Sequence, residues 1–415
     1  MESKQVDVCI VGAGPAGMFL GLLLSSRGVK VTVLERNEDF AREFRGEILQ
    51  PRFIQLARQA GLFEFLMSYP HEKVTRAEIS YMGKLAAWFD VAKVAPDAPH
   101  ILWMTQPVML KALAEYGSNS SNFSLQFGTK VKELLQEAGT TTGVKGEQNG
   151  QPFEIKAKLV VGADGRFSSI RKLGGFEFAY ERHSIDVLWF QIDRPEGHNR
   201  AFQFYLSDSN PYVILPKYPK QLQCGMVLRA NGFSTLRKKG IEALQKELKR
   251  AHPSFTEFAD SLVDFEPFTL LKGHLSYVKE WAKEGCILIG DAAHTCSPVG
   301  GIGVSMAVGT AIVAADVILE GLQNNRLTTV SLAKIQAIRH REMKRVHFLQ
   351  HNVARYLQLP TFLRRLFPIG GRILSHLGIV PLIARRLLSE RKALPLQNDF
   401  SSETKKLIQS SHVRK

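Results

Sequence analysis

The stretch Val8-Cys9-Ile10-Val11-Gly12-Ala13-Gly14-Pro15-Ala16-Gly17 decides the fold: an apolar run stops at a glycine-punctuated turn, and helix-forming residues follow from Met18 to Ser26. Val6 to Val11 predicts one strand and the β-branched run Val29 to Leu34 a second, so the segment reads as a β-α-β unit. Gly12 permits a tight turn, Gly14 lets backbone approach a pyrophosphate, and Gly17 lets helix and strand pack closely. The helix N-terminus, opened by Pro15 and Ala16, favours an anion by about 1 kcal/mol. Glu35 ends the second strand, where a carboxylate accepts hydrogen bonds from a ribose and repels an added phosphate; Arg36 beside it leaves that discrimination incomplete. By itself the pattern says only that a dinucleotide binds.

Working outward, the apolar stretch Val8 to Leu24 resembles a leader or membrane span in composition, but its glycines and Pro15 break it, and no later run of eighteen apolar residues occurs. No transmembrane segment is expected. The 415 residues, 45 % hydrophobic, suffice for two or three domains. Cys9, Cys224, Cys286 and Cys296 are scattered without metal-ligand spacing, which predicts reduced thiols, a cytoplasmic setting and no metal. The net charge of +15 admits nucleic acid or an anionic membrane as partners. No nucleic-acid-binding signature accompanies it, and none of the aromatic platforms that single strands use. The excess concentrates between Lys334 and Lys392, thirteen Lys/Arg against two acidic residues, in amphipathic helical sequence.

Along the chain, Arg52 to Tyr69 and Gln106 to Tyr116 read as helices, Ala77 to Phe89 as strands, Phe123 to Lys158 as a β-meander, and Leu159 to Gly162 as a buried strand. From Phe176 to Gly273 alternating strands dominate (187–192, 201–206, 212–215, 224–228), with one helix at 240–251. Cys286 to Ile289 returns as a buried strand before a long helix over 303–322, and the polar residues after Leu396 read as a fraying tail. The implied fold is α/β: a Rossmann-type domain assembled from 1–75, 105–175 and 274–330, an inserted mixed β-sheet domain from 76–104 and 176–273, a C-terminal helical region over 331–396, and a tail over 397–415.

Two further turns carry chemistry. Gly290-Asp291-Ala292-Ala293-His294 follows a buried strand, and Pro298, Gly300, Gly301 and Gly303 open the next helix. A carboxylate at a strand end binds a ribityl hydroxyl, and free amides at a glycine turn meet negative charge on a reduced isoalloxazine. The bland reading of Asp291 is a helix N-cap. Gly162-Ala163-Asp164-Gly165-Arg166, with Ser169 and Arg171 behind it, reads either as an ordinary Asp-Gly turn with a surface arginine or as part of the same site. The order of three such turns favours the second.

Together these residues resemble the group A FAD-dependent aromatic monooxygenases with the fold of para-hydroxybenzoate hydroxylase. Gly12, Gly14, Gly17 and Glu35 match the family's adenosine-diphosphate motif, Asp164-Gly165 its motif shared between FAD and NAD(P)H, and Gly290-Asp291 its ribityl motif. Arg45 and Gln106 stand where the family contacts FAD, and the likeness covers about the first 330 residues. The chain departs from the pattern at Ser305, where asparagine is usual, and at Gly309-Thr310, where an acidic residue is frequent. The resemblance implies FAD as cofactor, NADH or NADPH as a transient donor without a fingerprint of its own, and oxygen transfer from a flavin carbon-4a hydroperoxide. Hydroxylation or epoxidation of an apolar, aromatic or polycyclic substrate would result, with FAD supplying the chemistry. Pro298, Gly301 and Gly303 would flank the ring.

Candidates for lining the substrate cavity are Trp189, Phe190, Gln191, Phe202, Phe204, Tyr205, Tyr212 and Ile214, of which strand alternation turns half away. His183, His274 and His294 are read as bystanders, and no general base is named. Arginine pairs at 364–365 and 385–386, set between apolar residues, suggest helices lying on a membrane surface, against the alternative that they pack on the protein. The rival functions on the same fold are a reductase of isoprenoid double bonds, a halogenase, and a non-enzymatic escort protein.

Overall fold

The computed structural model describes residues 4–41, 47–182, 184–357, 370–388 and 393–402. Its central sheet runs in the order Ala282–Lys283, Cys286–Leu288, Gln151–Gly162, Lys4–Val11, Val31–Leu34, Phe123–Gln126, with Thr129–Glu137 and Thr140–Gln148 added as an antiparallel extension. The strands that carry the glycine turns are parallel and in register: Val11 stands beside both Leu34 and Gly162, and Gly162 beside Leu288. Consequently Gly12, Glu35, Ala163 and Ile289 all leave the sheet at one edge, stitched by Gly12 N–H to Leu34 O (2.7 Å), Ala163 N–H to Val11 O (2.8 Å) and Ile289 N–H to Gly162 O (2.9 Å). The carboxyl ends of parallel strands are where α/β sheets bind ligands.

Gln151–Gly162 is one twelve-residue strand, not a meander strand followed by a separate buried one. Its first half, from Gln151 to Lys156, pairs antiparallel with Thr140–Gln148, while Ile155 to Gly162 runs parallel to Lys4–Val11. The helix read over Arg52 to Tyr69 is two, Pro51–Gln59 and Phe63–Leu66, broken where Gly61 takes φ 73°.

A second sheet of seven strands has the order Thr269–Leu271, Ile185–Asp193, Gln221–Arg229, Tyr212–Lys217, Phe202–Leu206, Arg76–Tyr81, Lys84–Asp90, and is mixed because Phe202–Leu206 runs parallel to Arg76–Tyr81. Alternation splits its two faces. Phe190, Tyr205, Tyr212, Ile214, Cys224 and Met226 pack outward under the helix Ile241–Ala251 and Phe255. Val187, Trp189, Leu215 and Phe202 face the other way, in a cluster with Ile48 and Ile101.

The helical stretch Val299–Gln323, mostly the helix Gly303–Gln323, is long and apolar enough to cross a membrane, yet 83 % of its most apolar window is buried, and the helix packs between Pro15–Ser25 and Thr329–Leu357. It is a core helix. Among the described C-terminal residues, 370–376 lie on the strand Lys84–Asp90, with Trp88 N–H donating to Ser375 Oγ (3.2 Å) and Arg372 to Leu85 O (2.7 Å). The helix Ile379–Leu388 packs on the same strand and on Val91–Val94; the pair Arg364–Arg365 lies outside the described residues. Residues 397–402 do not fray. Asp316, on the core helix, accepts from the backbone amides of Gln397 (3.0 Å) and Asn398 (2.9 Å), and Phe400 is fully buried with the Arg27 guanidinium 5.5 Å above its ring. Polarity concealed this anchor because its ligand, Asp316, is eighty residues away.

Candidate active site

The shared edge of the parallel strands opens into a cleft of about 490 Å³. It is lined by Gly12, Gly14, Pro15, Ala16, Glu35, Arg36, Gln106, Asp164, Gly165, Asp291, Pro298, Gly301 and Gly303, which the fold thus brings together from four distant parts of the sequence. Gly17 lies behind the cleft: a Cβ there would meet Gly12 O at 2.0 Å, so its role is the close approach of helix to turn. Arg45 lies outside the described residues.

The residues fit a dinucleotide. Gly12 takes φ +107°, and a Cβ on it would stand 2.5 Å from Ala163 O, so the first two glycine turns lean on each other. Around Gly14 an added Cβ meets no atom within 4 Å, leaving backbone open to a ligand at the start of the helix Pro15–Ser25, which has no side-chain cap. An uncapped helix N-terminus on a cleft suits a pyrophosphate. Glu35 is buried and oriented by the amides of Ala13 (3.0 Å) and Asn37 (3.1 Å).

Asp164 turns out to hold the second turn together. Its carboxylate accepts from the hydroxyl of Ser168 and the amides of Ser169 (2.6 Å) and Ile170 (3.1 Å), while burial pushes its pKa up against these bonds. Arg171 is buried, not a surface residue: it donates to Arg166 O (2.7 Å) and Ala292 O (2.9 Å), tying the second turn to the third. Arg166 faces Asp291 at 3.4 Å. The turn from Ser297 to Gly301 is held from two sides, by Gln50 Nε2 on Gly300 O (2.6 Å) and by buried Gln350, which donates to Ser297 O and Val299 O (both 2.9 Å). Reading the sequence missed Gln50 and Gln350, because long-range side chain to backbone bonds leave no local pattern.

The two departures from the family pattern have local reasons or consequences. At Gly309 a Cβ would stand 2.8 Å from Arg339, a buried guanidinium paired with Glu342, which in turn lies 3.7 Å from Arg52. Any side chain at Gly309 requires the Arg339 guanidinium to shift. Ser305 is buried in the first turn of the same helix with its hydroxyl unpartnered. Thr310 donates to Met306 O (3.0 Å) and meets His294 Nε2 at 2.9 Å. His294 is wholly buried beside Trp281, and burial pushes its pKa down to about 3, so it is a neutral core residue. His274 contacts the Tyr180 hydroxyl at the surface, and His183 lies outside the described residues.

Beyond the glycine turns the cleft continues to the inner face of the second sheet, where Trp189, Gln223 and Leu271 line it together with Glu47 and Ile48. Of the eight expected lining residues, Trp189 alone lines this cleft; Phe190, Tyr205, Tyr212 and Ile214 belong to the outer core, Gln191 accepts from Lys217 Nζ (2.6 Å), and Phe202 and Phe204 pack at the inner face. Glu47 and Gln223 were not anticipated. Burial raises the Glu47 carboxyl to about 7, the Lys217 ammonium pulling the other way, and burial lowers Lys217 in turn.

A parallel sheet with converging glycine turns, roofed by a mixed sheet across one cleft, defines a dinucleotide-binding oxidoreductase. A family model described as FAD binding domain matches residues 5–340, and the chain belongs to that family; FAD is its cofactor. The chain is 29 % identical over 405 residues to the 6-methylpretetramide 4-monooxygenase of Streptomyces rimosus, covering 97 % of this chain and 96 % of that one. It is 24 % identical over 352 residues to the digeranylgeranylglycerophospholipid reductase of Methanocella arvoryzae, covering 80 % and 82 %. Its fold matches the crystal structure of p-nitrophenol 4-monooxygenase from Pseudomonas putida with a TM-score of 0.77 at 21 % identity, over 94 % of this chain and 100 % of that one. The fold is that of the FAD-dependent monooxygenases.

Proposed function

We propose that the protein is an FAD-dependent monooxygenase that uses NADH or NADPH and O₂ to place one oxygen atom on an apolar aromatic or polycyclic substrate. The observation that carries this is the continuity of the cleft from the three glycine turns to Trp189 and Leu271 on the second sheet. On this reading Gly12, Gly14, Pro15, Ala16, Glu35 and Arg36 hold the adenosine and pyrophosphate, and Arg45 and Gln106 are further FAD contacts by the family resemblance. Asp164 and Gly165 shape the middle, and Asp291, Pro298, Gly301 and Gly303 the ribityl and ring end. Bound FAD, reduced by the nicotinamide, supplies the activation of O₂. The chain's own part is to orient the substrate on the Trp189 face and to exclude water with Ile48 and Leu271.

The resemblance to the 6-methylpretetramide 4-monooxygenase supports a polycyclic substrate, since that likeness spans nearly both chains. In the test, reduced protein is mixed with isotopically heavy O₂ and candidate phenolic polycycles. A product carrying one heavy oxygen is expected; reoxidation with no oxygenated product, or hydrogenation of an isoprenoid double bond, would instead select the reductase reading. Exposed Ile373, Leu377 and Leu382 on the C-terminal helices favour a peripheral membrane contact as a second feature, and absence of flotation with anionic liposomes at low salt would remove it.

A further inference from the structure

We propose that a small cavity adjoining the cleft at Trp189, open to solvent beside Gln191 and Pro267, is the passage by which an aromatic substrate reaches the cleft while FAD stays seated. This rests on the monooxygenase reading and deepens it by naming the route of the substrate.

The passage begins at a break in the second sheet. Thr269–Leu271 pairs antiparallel with Ile185–Asp193 through three residue pairs, the last of them Thr269 with Trp189. The residues just before Thr269 do not extend the ladder: Pro267 has no N–H to offer, and the Phe268 N–H is committed to Phe265 O (3.2 Å) in a turn. Phe268 buries its ring in the outer core beside Phe190, centroids 5.5 Å apart. The chain thus swings away opposite Gln191 and leaves a cavity of about 250 Å³, lined by Trp189, Phe190, Gln191, Gln223, Pro267 and Thr269.

Its walls grade from wet to dry. Gln191 and Pro267 are exposed and Thr269 is half-buried, whereas Trp189 and Gln223 are buried. Trp189 and Gln223 also line the cleft, so the two spaces meet at these side chains. The strand register makes the lining residues neighbours: Gln191 stands directly across from Gln223, and Trp189, two residues before Gln191, shares its face of the strand. Rim and inner wall are each fixed by a hydrogen bond, Lys217 Nζ donating to Gln191 Oε1 (2.6 Å) and Trp103 Nε1 to Gln223 Oε1 (2.8 Å). The size argues for transit over residence, since sites that hold a drug-sized molecule run to roughly 300–1,000 Å³. With FAD over the glycine turns, this is the side of the cleft left open to a substrate, and an indole at the junction favours flat aromatic molecules that stack on it as they pass.

The test uses the FAD-bound protein with a reporter thiol beyond the junction. All four native cysteines are buried, and burial raises the pKa of each, so they react slowly with thiol reagents. Ile48→Cys places a thiol in the cleft, which Ile48 lines while the small cavity does not include it. Methyl methanethiosulfonate is expected to modify this thiol at least tenfold faster than the native ones, and Gln191→Trp, which narrows the mouth, to slow that reaction at least tenfold. If Ile48→Cys does not retain FAD, Trp189→Cys carries the reporter. A second measurement follows the binding of 2-naphthol in stopped flow by the flavin difference spectrum. Gln191→Trp is expected to slow association and dissociation by the same factor, at least tenfold, and to leave Kd within twofold, which marks a route and not a contact. A reporter that reacts no faster than the native thiols, or at a rate unchanged by Gln191→Trp, overturns the proposal. So does a loss of naphthol affinity with association unchanged, which would make the cavity a resident subsite; should naphthol give no flavin signal, the reporter thiol decides. A passage that meets these expectations while heavy oxygen is never transferred would sink only the assigned reaction.

Discussion

Gly14 and Gly17 stand three residues apart and do different work. A methyl on Gly17 would lie 2.0 Å from the Gly12 carbonyl oxygen, backbone that cannot swing aside, whereas a methyl on Gly14 meets nothing within 4 Å. Gly17→Ala is therefore expected to destabilise the fold by about 2–4 kcal/mol in urea unfolding. Gly14→Ala should leave stability within about 1 kcal/mol of wild type and yet weaken FAD binding at least tenfold in flavin titration, because the methyl points into the space a pyrophosphate needs. A motif shows both glycines; only packing separates them. His294 offers a second residue-scale test. Its pKa, about 3 when buried and 6.5 as its ordinary value, means that the unfolded chain binds the extra proton. Its contribution is thus fully present above pH 6.5 and is lost as pH falls toward 3, by about 1.4 kcal/mol per pH unit. Replacing His294 by Gln should flatten the slope of unfolding free energy against pH between 6 and 4, and an unchanged slope would show that the imidazole protonates freely in the native state.

Neighbouring residues of one strand divide in the same way at the scale of the element. In Ile185–Asp193, Trp189 lines the cleft while Phe190 packs outward with Phe255, Phe258 and Phe268, ring centroids 5.0–5.5 Å away. Phe190→Ala should cost about 3–5 kcal/mol of stability, and Trp189→Ala should instead raise the KM for substrate several-fold, read by steady-state kinetics alongside thermal unfolding. Loss of stability in the tryptophan variant equal to that in the phenylalanine variant would mean the two faces are not so divided. The existence of this strand and the alternation of its faces were legible from the period of two. Which face looks toward the cleft was not, since that depends on the partners above and below: the helix Ile241–Ala251 on one side and the Ile48–Leu49 strand on the other. The single helix expected over Arg52 to Tyr69 failed for a related reason, an apolar pattern continuing through Gly61, whose positive φ ends the first helix.

For the molecule as a whole, the cleft is lined by loops that follow four different strands, so bound FAD should act as a clasp on the fold. Removing FAD is expected to lower the unfolding free energy by about 2.7 kcal/mol relative to protein held at a hundredfold excess over Kd, by mass action. A melting temperature indifferent to FAD would mean that the cleft does not bind it in the folded state. Several struts of this arrangement span great sequence distances: Arg171 to Ala292, Gln50 to Gly300, Gln350 to Ser297, and Asp316 to Asn398.

The amino-acid sequence alone determined the β-α-β start, the three glycine turns, and through them the α/β class and a dinucleotide site, because tight turns, phosphate approach and strand periodicity are local demands that few residue types meet; FAD in particular followed from the family resemblance those turns carry. The tertiary structure decided what those demands leave open. Parallel register brought the three turns to one edge, and packing chose Trp189 over Phe190. Burial made Arg171 a strut between the second and third turns. Those outcomes depend on which distant atoms arrive next to a side chain, and no local spacing encodes that.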